Sequence, residues 1–299
     1  MKNNHFIITR FNLNLYARDK RRMPTRTRLW LEHRFEVFER YCLPSVAAQT
    51  EKDFTWLCLF DAHTPDEYRD RIEGYAAVCP QFRAVWYDDT QSASLTESLR
   101  TTLLDLRYGE RGRRNSPPPQ PELLITTNLD NDDALSVDAV ELLQKSVVCT
   151  SERHIYSFLY GYQYFADRRF LIRMRYPHNH FLTLAEPFDR TLQTIVSYTH
   201  TRAVFQLPTT YIRSGSGQWL EIVHEDNVSN DLRINIKIWN IPVLRARSLA
   251  DFGLAELRVG WWGQWLKTLF LLPAQFVCTA AERLRSKRER ERLKRGELS

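Results

Sequence analysis

Asp130, Asp132 and Asp133 put three carboxylates within four residues, separated only by Asn131. They directly follow the apolar stretch 123–127 (LLITT) and precede a segment of helical composition. Such a cluster repels itself unless a cation or hydrogen-bond donors compensate it. Carboxylates at the end of a buried strand suit Mg²⁺ or Mn²⁺, hard cations that take oxygen ligands and also bind a diphosphate. The competing reading is that they cap a helix beginning near Ser136. One capping aspartate is common, whereas three after a buried strand are not.

Other candidates sit at similar places. Asp61 closes the apolar stretch 54–60 (FTWLCLF) and Arg10 lies near the end of 5–11 (HFIITRF). An aspartate there can accept from a base or a sugar hydroxyl, and an arginine can hold a diphosphate. A helix cap or turn is the alternative role for Asp61, and Asp88-Asp89 after 82–87 shares the ambiguity. His224 follows a short strand-like stretch and could complete a metal sphere; by composition alone it is a surface histidine in a polar turn. Glu186 and Asp226 are the carboxylates considered for removing a proton from an acceptor hydroxyl. There is no HExxH and no closely spaced histidine set, so a zinc hydrolase is not indicated. No Gly-rich phosphate loop or GxGxxG appears either, which counts against kinases, nucleoside triphosphatases and dehydrogenases.

These residues need a scaffold that brings strand ends to one rim. Four short apolar runs, 5–11, 54–60, 82–87 and 123–127, read as strands of a sheet covered on both faces. Between them lie three helical patterns: 28–48, a segment opened by Thr64-Pro65-Asp66-Glu67, and 94–107. The alternation indicates an α/β domain with a mainly parallel central sheet, whose ligands bind beyond the carboxyl ends of the strands. Residues 109–121 (GERGRRNSPPPQP) read as an exposed loop. A helix is expected over 134–148, and strands over 155–165, 169–176, 203–207 and 219–223. Residues 231–239 alternate as well and are either a strand or part of a linker. The second half is expected to complete the same sheet and to supply the acceptor side.

Composition fits a folded body with an unusual end. Of the 299 residues 43% are hydrophobic, with 8 Trp, 13 Tyr and 16 Phe, which excludes a disordered chain. The formal net charge of +6 is concentrated at the C-terminus, since residues 282–299 carry eight Arg or Lys against four Glu. The body has little charge bias, and nucleic acid is not an expected partner. Residues 257–277 are rich in Trp, Leu and Phe, but Lys267 and Pro273 make them a poor transmembrane helix. Two readings stay open for 241–299: a helical, basic tail resting on an anionic membrane surface, or an apolar segment covering the body. The domain proper is placed at 1–240. Five scattered cysteines without a CxxC read as free thiols, so a cytoplasmic body is expected.

Several stretches, in order, resemble a bacterial rhamnosyltransferase family within the GT-A-type glycosyltransferases. They are ITRFN at 8–12, RLWLEHRFEVFERYCLPSVAAQT at 28–50, FTWLCLFD at 54–61, TTNLDNDDAL at 126–135 and WLEIVHEDNVSN at 219–230. The resemblance implies a GT-A domain that moves a sugar from a nucleotide-sugar donor to a saccharide or glycolipid acceptor; Mn²⁺ or Mg²⁺ is the expected cofactor and inversion the expected stereochemical course. It places the metal-binding motif on Asp130 and Asp132 with Asp133 beside them, nucleoside contact on Asp61, and the late metal or diphosphate histidine on His224. It favours Glu186 over Asp226 as the base. Glu225 departs from the small residue expected after that histidine. A sugar nucleotidyltransferase would need a Gly-rich basic loop after the first strand, and residues 12–24 contain no glycine. A binding or scaffold protein that has lost turnover is the non-enzyme alternative.

Overall fold

The computed structural model describes residues 4–14, 24–25, 27–90, 93–115, 122–148, 151–224, 241–242 and 248–260. In the first half, strands β1 (Asn4–Arg10), β2 (Thr55–Asp61), β3 (Phe82–Tyr87) and β4 (Leu123–Asn128) alternate with helices. The helices are α1 (Arg28–Val37), α2 (Leu43–Ala47), α3 (Arg69–Val78) and α4 (Leu95–Asn115). After β4 come β5 (Ala134–Leu135), α5 (Ala139–Ser146), β6 (His154–Phe158), β7 (Tyr160–Phe165) and β8 (Phe170–Arg175). Then follow β9 (Thr183–Pro187), α6 (His200–Gln206), β10 (Thr209–Ile212) and β11 (Trp219–Val223). The short strands β12 (Ile241–Pro242) and β13 (Ser248–Leu249) and the longer β14 (Leu254–Arg258) close the described chain.

Seven strands form the main sheet in the order β10-β6-β9-β4-β1-β2-β3, and only β9 runs against the rest. The near-continuous apolar runs fit this sheet because both faces are covered. Ile7, Trp56, Cys58 and Phe60 face a core built with α1, α3 and α5. Phe6, Ile8, Leu57, Leu59 and Leu124 alternate to the other face, where Leu99 and Leu103 of α4 cover them. The mainly parallel α/β sheet is the architecture expected from the sequence. Cys42, Cys58 and Cys79 are buried free thiols. No helix among the described residues is long and apolar enough to cross a membrane.

The second half departs from expectation in several ways. Residues 155–165 are not one strand: β6 joins the main sheet, the chain turns at Leu159, and β7 enters a second sheet ordered β12-β8-β7-β11-β5. Of the expected strand 203–207, residues 203–206 are helical and only Leu207 is extended. Ala203 and Val204 are both buried, against Ile155 and Leu184, while Phe205 faces solvent. A short apolar run cannot by itself distinguish helix from strand, and Pro208 ends this one. Within 134–148 the helix starts only at Ala139, because Ala134 and Leu135 pair with β11. Helix α4 continues to Asn115, beyond the expected loop boundary, with a break at Gly109, whose φ of 68° suits glycine. Trp219 stacks on Phe181 and lies against Gly161, where any Cβ would stand 1.9 Å from the indole.

The expected boundary at residue 240 falls among residues that are not described. Residues 248–260 contain β13 and β14, and Leu249, Phe252, Leu254, Leu257 and Val259 pack with Val37, Tyr41 and the second sheet. This stretch is therefore part of the folded body rather than of a helical tail. Residues 261–299, with both readings of the tail, lie outside the described residues, as do 231–239.

Candidate active site

The carboxyl ends of β1, β2 and β4 meet at one rim, and the acidic run forms a turn there. The Asp133 N–H donates to the Asp130 carbonyl at 3.2 Å, and the Leu129 N–H donates to the Ile8 carbonyl at 3.1 Å. This turn sends its four side chains in different directions. Asn131 points into the fold, where its amide donates to the Phe11 carbonyl at 2.7 Å and its oxygen accepts from Arg34 at 3.1 Å. Asn131, expected at the nucleotide, ties the turn to α1 and to the residue that follows β1.

Asp132 and Asp133 separate into two groups. Asp132 accepts from the buried Arg34 at 3.1 Å and lies 3.4 Å from His224 Nε2. Burial opposes its charge, but His224 and Arg34 outweigh that and hold the carboxyl well below the usual range. Asp133 accepts from the Ile222 N–H of β11 at 2.9 Å and from His180 Nε2 at 2.7 Å. Burial opposes a charge on His180, yet Asp133, with Asp130 and Glu221 adding to it, pushes the imidazole up to about 10. Asp130 is more open, 3.9 Å from His180 and 3.8 Å from Arg10. One ligand atom each from Asp130, Asp133 and His180 lies within 4.8 Å of the others.

Two carboxylates and an imidazole so placed fit a divalent cation such as Mn²⁺ or Mg²⁺, which would displace the proton between His180 and Asp133. The buried Arg10 Nε has no hydrogen-bond partner beside this group, which suits a site that receives an anion. The expected set of Asp130, Asp132, Asp133 and His224 is thus divided: Asp130 and Asp133 converge with His180, while His224 and Arg34 converge on Asp132. His180 is not among the residues singled out from the sequence. Its signal there is the pair His178 and His180 ahead of the stretch 181–185. Buried Asn179 fixes the loop between them by donating to the carbonyls of Tyr176 and Phe158 and to Ser157 Oγ.

Asp61 lies on the same rim at the end of β2. Its Oδ1 accepts from the His63 N–H at 2.8 Å, and its own N–H donates to Asn12 Oδ1 at 3.0 Å. Asn12 in turn donates to Thr64 Oγ1. These residues, with Asn14, Leu31 and Pro65, line a cleft of about 380 Å³. The Thr64 hydroxyl bonds back to the Asp61 carbonyl, so it closes the turn instead of capping a helix.

Glu186 is elsewhere. On antiparallel β9 it pairs in register with Leu124, near the beginning of β4, whereas Asp130 follows that strand's end. Leu124 and Asn128 alone are separated by roughly 13 Å along the strand. The Glu186 carboxylate is 1% exposed and accepts from Arg153 at 3.0 Å and from the N–H groups of Gln193 and Thr194. That placement leaves it no route to an acceptor at the acidic turn. Asp226 and Glu225 lie outside the described residues.

Residues 8–236 match the family described as "Putative rhamnosyl transferase". The chain belongs to this family. It is the family that the ordered stretches in the sequence resemble. No curated protein matches the chain. Among solved structures, it is similar to S. aureus TarS at 10% identity and a TM-score of 0.37, covering 74% of this chain and 37% of that one. It is also similar to a nucleotide-diphospho-sugar transferase from Desulfovibrio desulfuricans G20, at 8% identity and a TM-score of 0.36, covering 80% and 88%. An inositol-1-phosphate CTP transferase from T. maritima gives 11% identity and a TM-score of 0.34, covering 78% and 94%. The chain spans only about a third of the TarS chain.

Proposed function

We propose that this family member moves a sugar from a nucleoside-diphosphate donor to an acceptor hydroxyl, with a divalent cation held by Asp130, Asp133 and His180. The convergence of those three ligand groups beside the Asp61 cleft carries the reading. Asp61, Asn12 and Asn14 offer acceptors and donors for a base or ribose in the cleft. Arg10 neighbours Asp130 and would contact the diphosphate as a cation. A bound Mn²⁺ or Mg²⁺ would neutralise charge on the departing diphosphate. Arg34 and His224 fix Asp132, so the turn keeps its shape next to three mutually repelling carboxylates.

Inversion at the sugar carbon remains the proposed stereochemical course, and Asp226 the proposed proton acceptor; neither rests on the described geometry. Rhamnose is the sugar named in the family description, and a bacterial polysaccharide or glycolipid is the proposed acceptor class. Cytoplasmic residence, with the basic C-terminus on an anionic membrane surface, belongs to the same proposal.

Thermal unfolding with dTDP, UDP or GDP, each with and without Mn²⁺, tests the donor site. Binding to the folded state must raise the midpoint. Stabilisation by a diphosphate only when Mn²⁺ is present is expected. A folded protein that responds to none of the three, with Mn²⁺ in excess, overturns the donor reading.

A further inference from the structure

Beside the candidate active site, the structure exposes an aromatic group that no part of the donor site uses. Phe205 of α6 is 76% exposed and Tyr211 of β10 is 40% exposed. His178 joins them, its ring centroid 5.0 Å from that of Phe205 in an edge-on arrangement and 6.4 Å from that of Tyr211, the two planes inclined by 29°. Ala203 and Val204 satisfy the core-facing side of α6, so the exposure of Phe205 is not a requirement of packing.

The position links this group to the acidic turn. Asn179 pins the loop to the end of β6 through hydrogen bonds to Ser157 and Phe158, and the residues on either side of it serve different places. His180 turns to Asp133, while His178 turns to Phe205 and Tyr211. Strand β10 is parallel to β6 and lies at the edge of the sheet, so Tyr211 approaches the rim on which β4 also ends. His200, whose ring lies 6.2 Å from that of His180, begins the helix that carries Phe205.

We propose that Phe205, Tyr211 and His178 form a stacking platform for a pyranose ring of the saccharide acceptor. This rests on the transferase reading for the word acceptor, though not for the binding itself. An aromatic face is apolar and carries negative charge density, which suits the C–H face of a sugar. Tyr and His add polar edges that can meet its hydroxyls. Three side chains are far too small an area for a stable protein interface, which needs on the order of 1,000 Å² or more. Exposed Arg202 and Gln206 flank Phe205 on the same helix, so the patch has a polar border rather than an apolar extension.

Saturation-transfer NMR on the full chain tests this, with methyl α-L-rhamnoside, methyl β-D-glucoside, methyl N-acetyl-β-D-glucosaminide and cellobiose as probes. At least one should receive saturation, strongest at its ring C–H protons. Phe205→Ala should weaken that binding about tenfold, and Phe205→Trp should restore it. The Mn²⁺-dependent diphosphate shift should be unchanged in both variants. Absence of transfer to every probe, or transfer that Phe205→Ala leaves intact, overturns the platform. So does concentration-dependent dimerisation that Phe205→Ala abolishes, because a second copy would then be its occupant. Loss of the diphosphate response in the unmodified chain, with saccharide binding retained, removes the transferase reading but supports the platform.

Discussion

The two edges of the seven-stranded sheet treat charge in opposite ways. At the amino edge of β4, carboxylates are paired close to saturation. Glu122 accepts from Arg107 at 2.6 Å and from Asn4, and Glu186 accepts from Arg153 and two backbone N–H groups. At the carboxyl edge, three aspartates crowd one turn, and Asp130 is left partly open beside His180 and Arg10. Burial of an acid therefore says little by itself about chemistry. A carboxylate with every partner supplied by the fold holds the fold, whereas a cluster left short of positive charge has room for a ligand.

The comparison can be broken most directly at Asp130. Replacing it with Ala should cut sugar transfer, or donor hydrolysis, by about two to three orders of magnitude. It should abolish the Mn²⁺-dependent diphosphate shift while leaving the metal-free melting temperature unchanged or raised. Glu186→Ala should show the reverse, costing about 3 kcal/mol of stability in urea unfolding. Its transfer rate, measured where the variant is folded, should stay within a few-fold; a loss as large as that of Asp130→Ala would restore Glu186 as the base.

His5 gives a smaller effect with a defined pH dependence. Burial pushes its imidazole down to about 3, so the folded protein refuses a proton that the unfolded chain accepts below its ordinary value of 6.5. The associated stability is present above 6.5 and lost as pH falls toward 3. Between pH 7 and pH 5 the loss is about 2 kcal/mol, and His5→Gln should remove that part of the slope in urea titrations. The smallest effect is expected at the amino edge itself. Arg107→Gln should cost about 0.5–1 kcal/mol, less in high salt, because the Arg107–Glu122 pair is partly exposed.

The first half of the fold was legible because its strands are short, apolar on both faces and separated by helices with strong periodicity. Residues 82–87 coincide with β3, and 123–127 fall within β4. The second half was harder for specific reasons. Strand β9 reverses direction, which local patterning cannot report, and its reversal carries Glu186 to the edge away from the acidic turn. Residues 203–207 are too short for periodicity to separate helix from strand. The acidic turn was visible as a self-repelling cluster, but its division between Arg34 and His180 depends on partners 98 and 47 residues away from the aspartates they contact.

The link from the Ile222 N–H to Asp133 spans 89 residues, and this gives the site a place in time during synthesis. At ordinary ribosomal rates the acidic turn precedes β11 by on the order of ten seconds. During that interval the first four strands can already be outside the ribosome while Asp133 still lacks one of its donors. Water must supply the missing bond until β11 emerges. A chain stalled before Trp219 would therefore carry most of the main sheet with an acidic turn still hydrated, and completion of the hydrogen bonds around Asp133 would mark a late event in the maturation of the nascent protein.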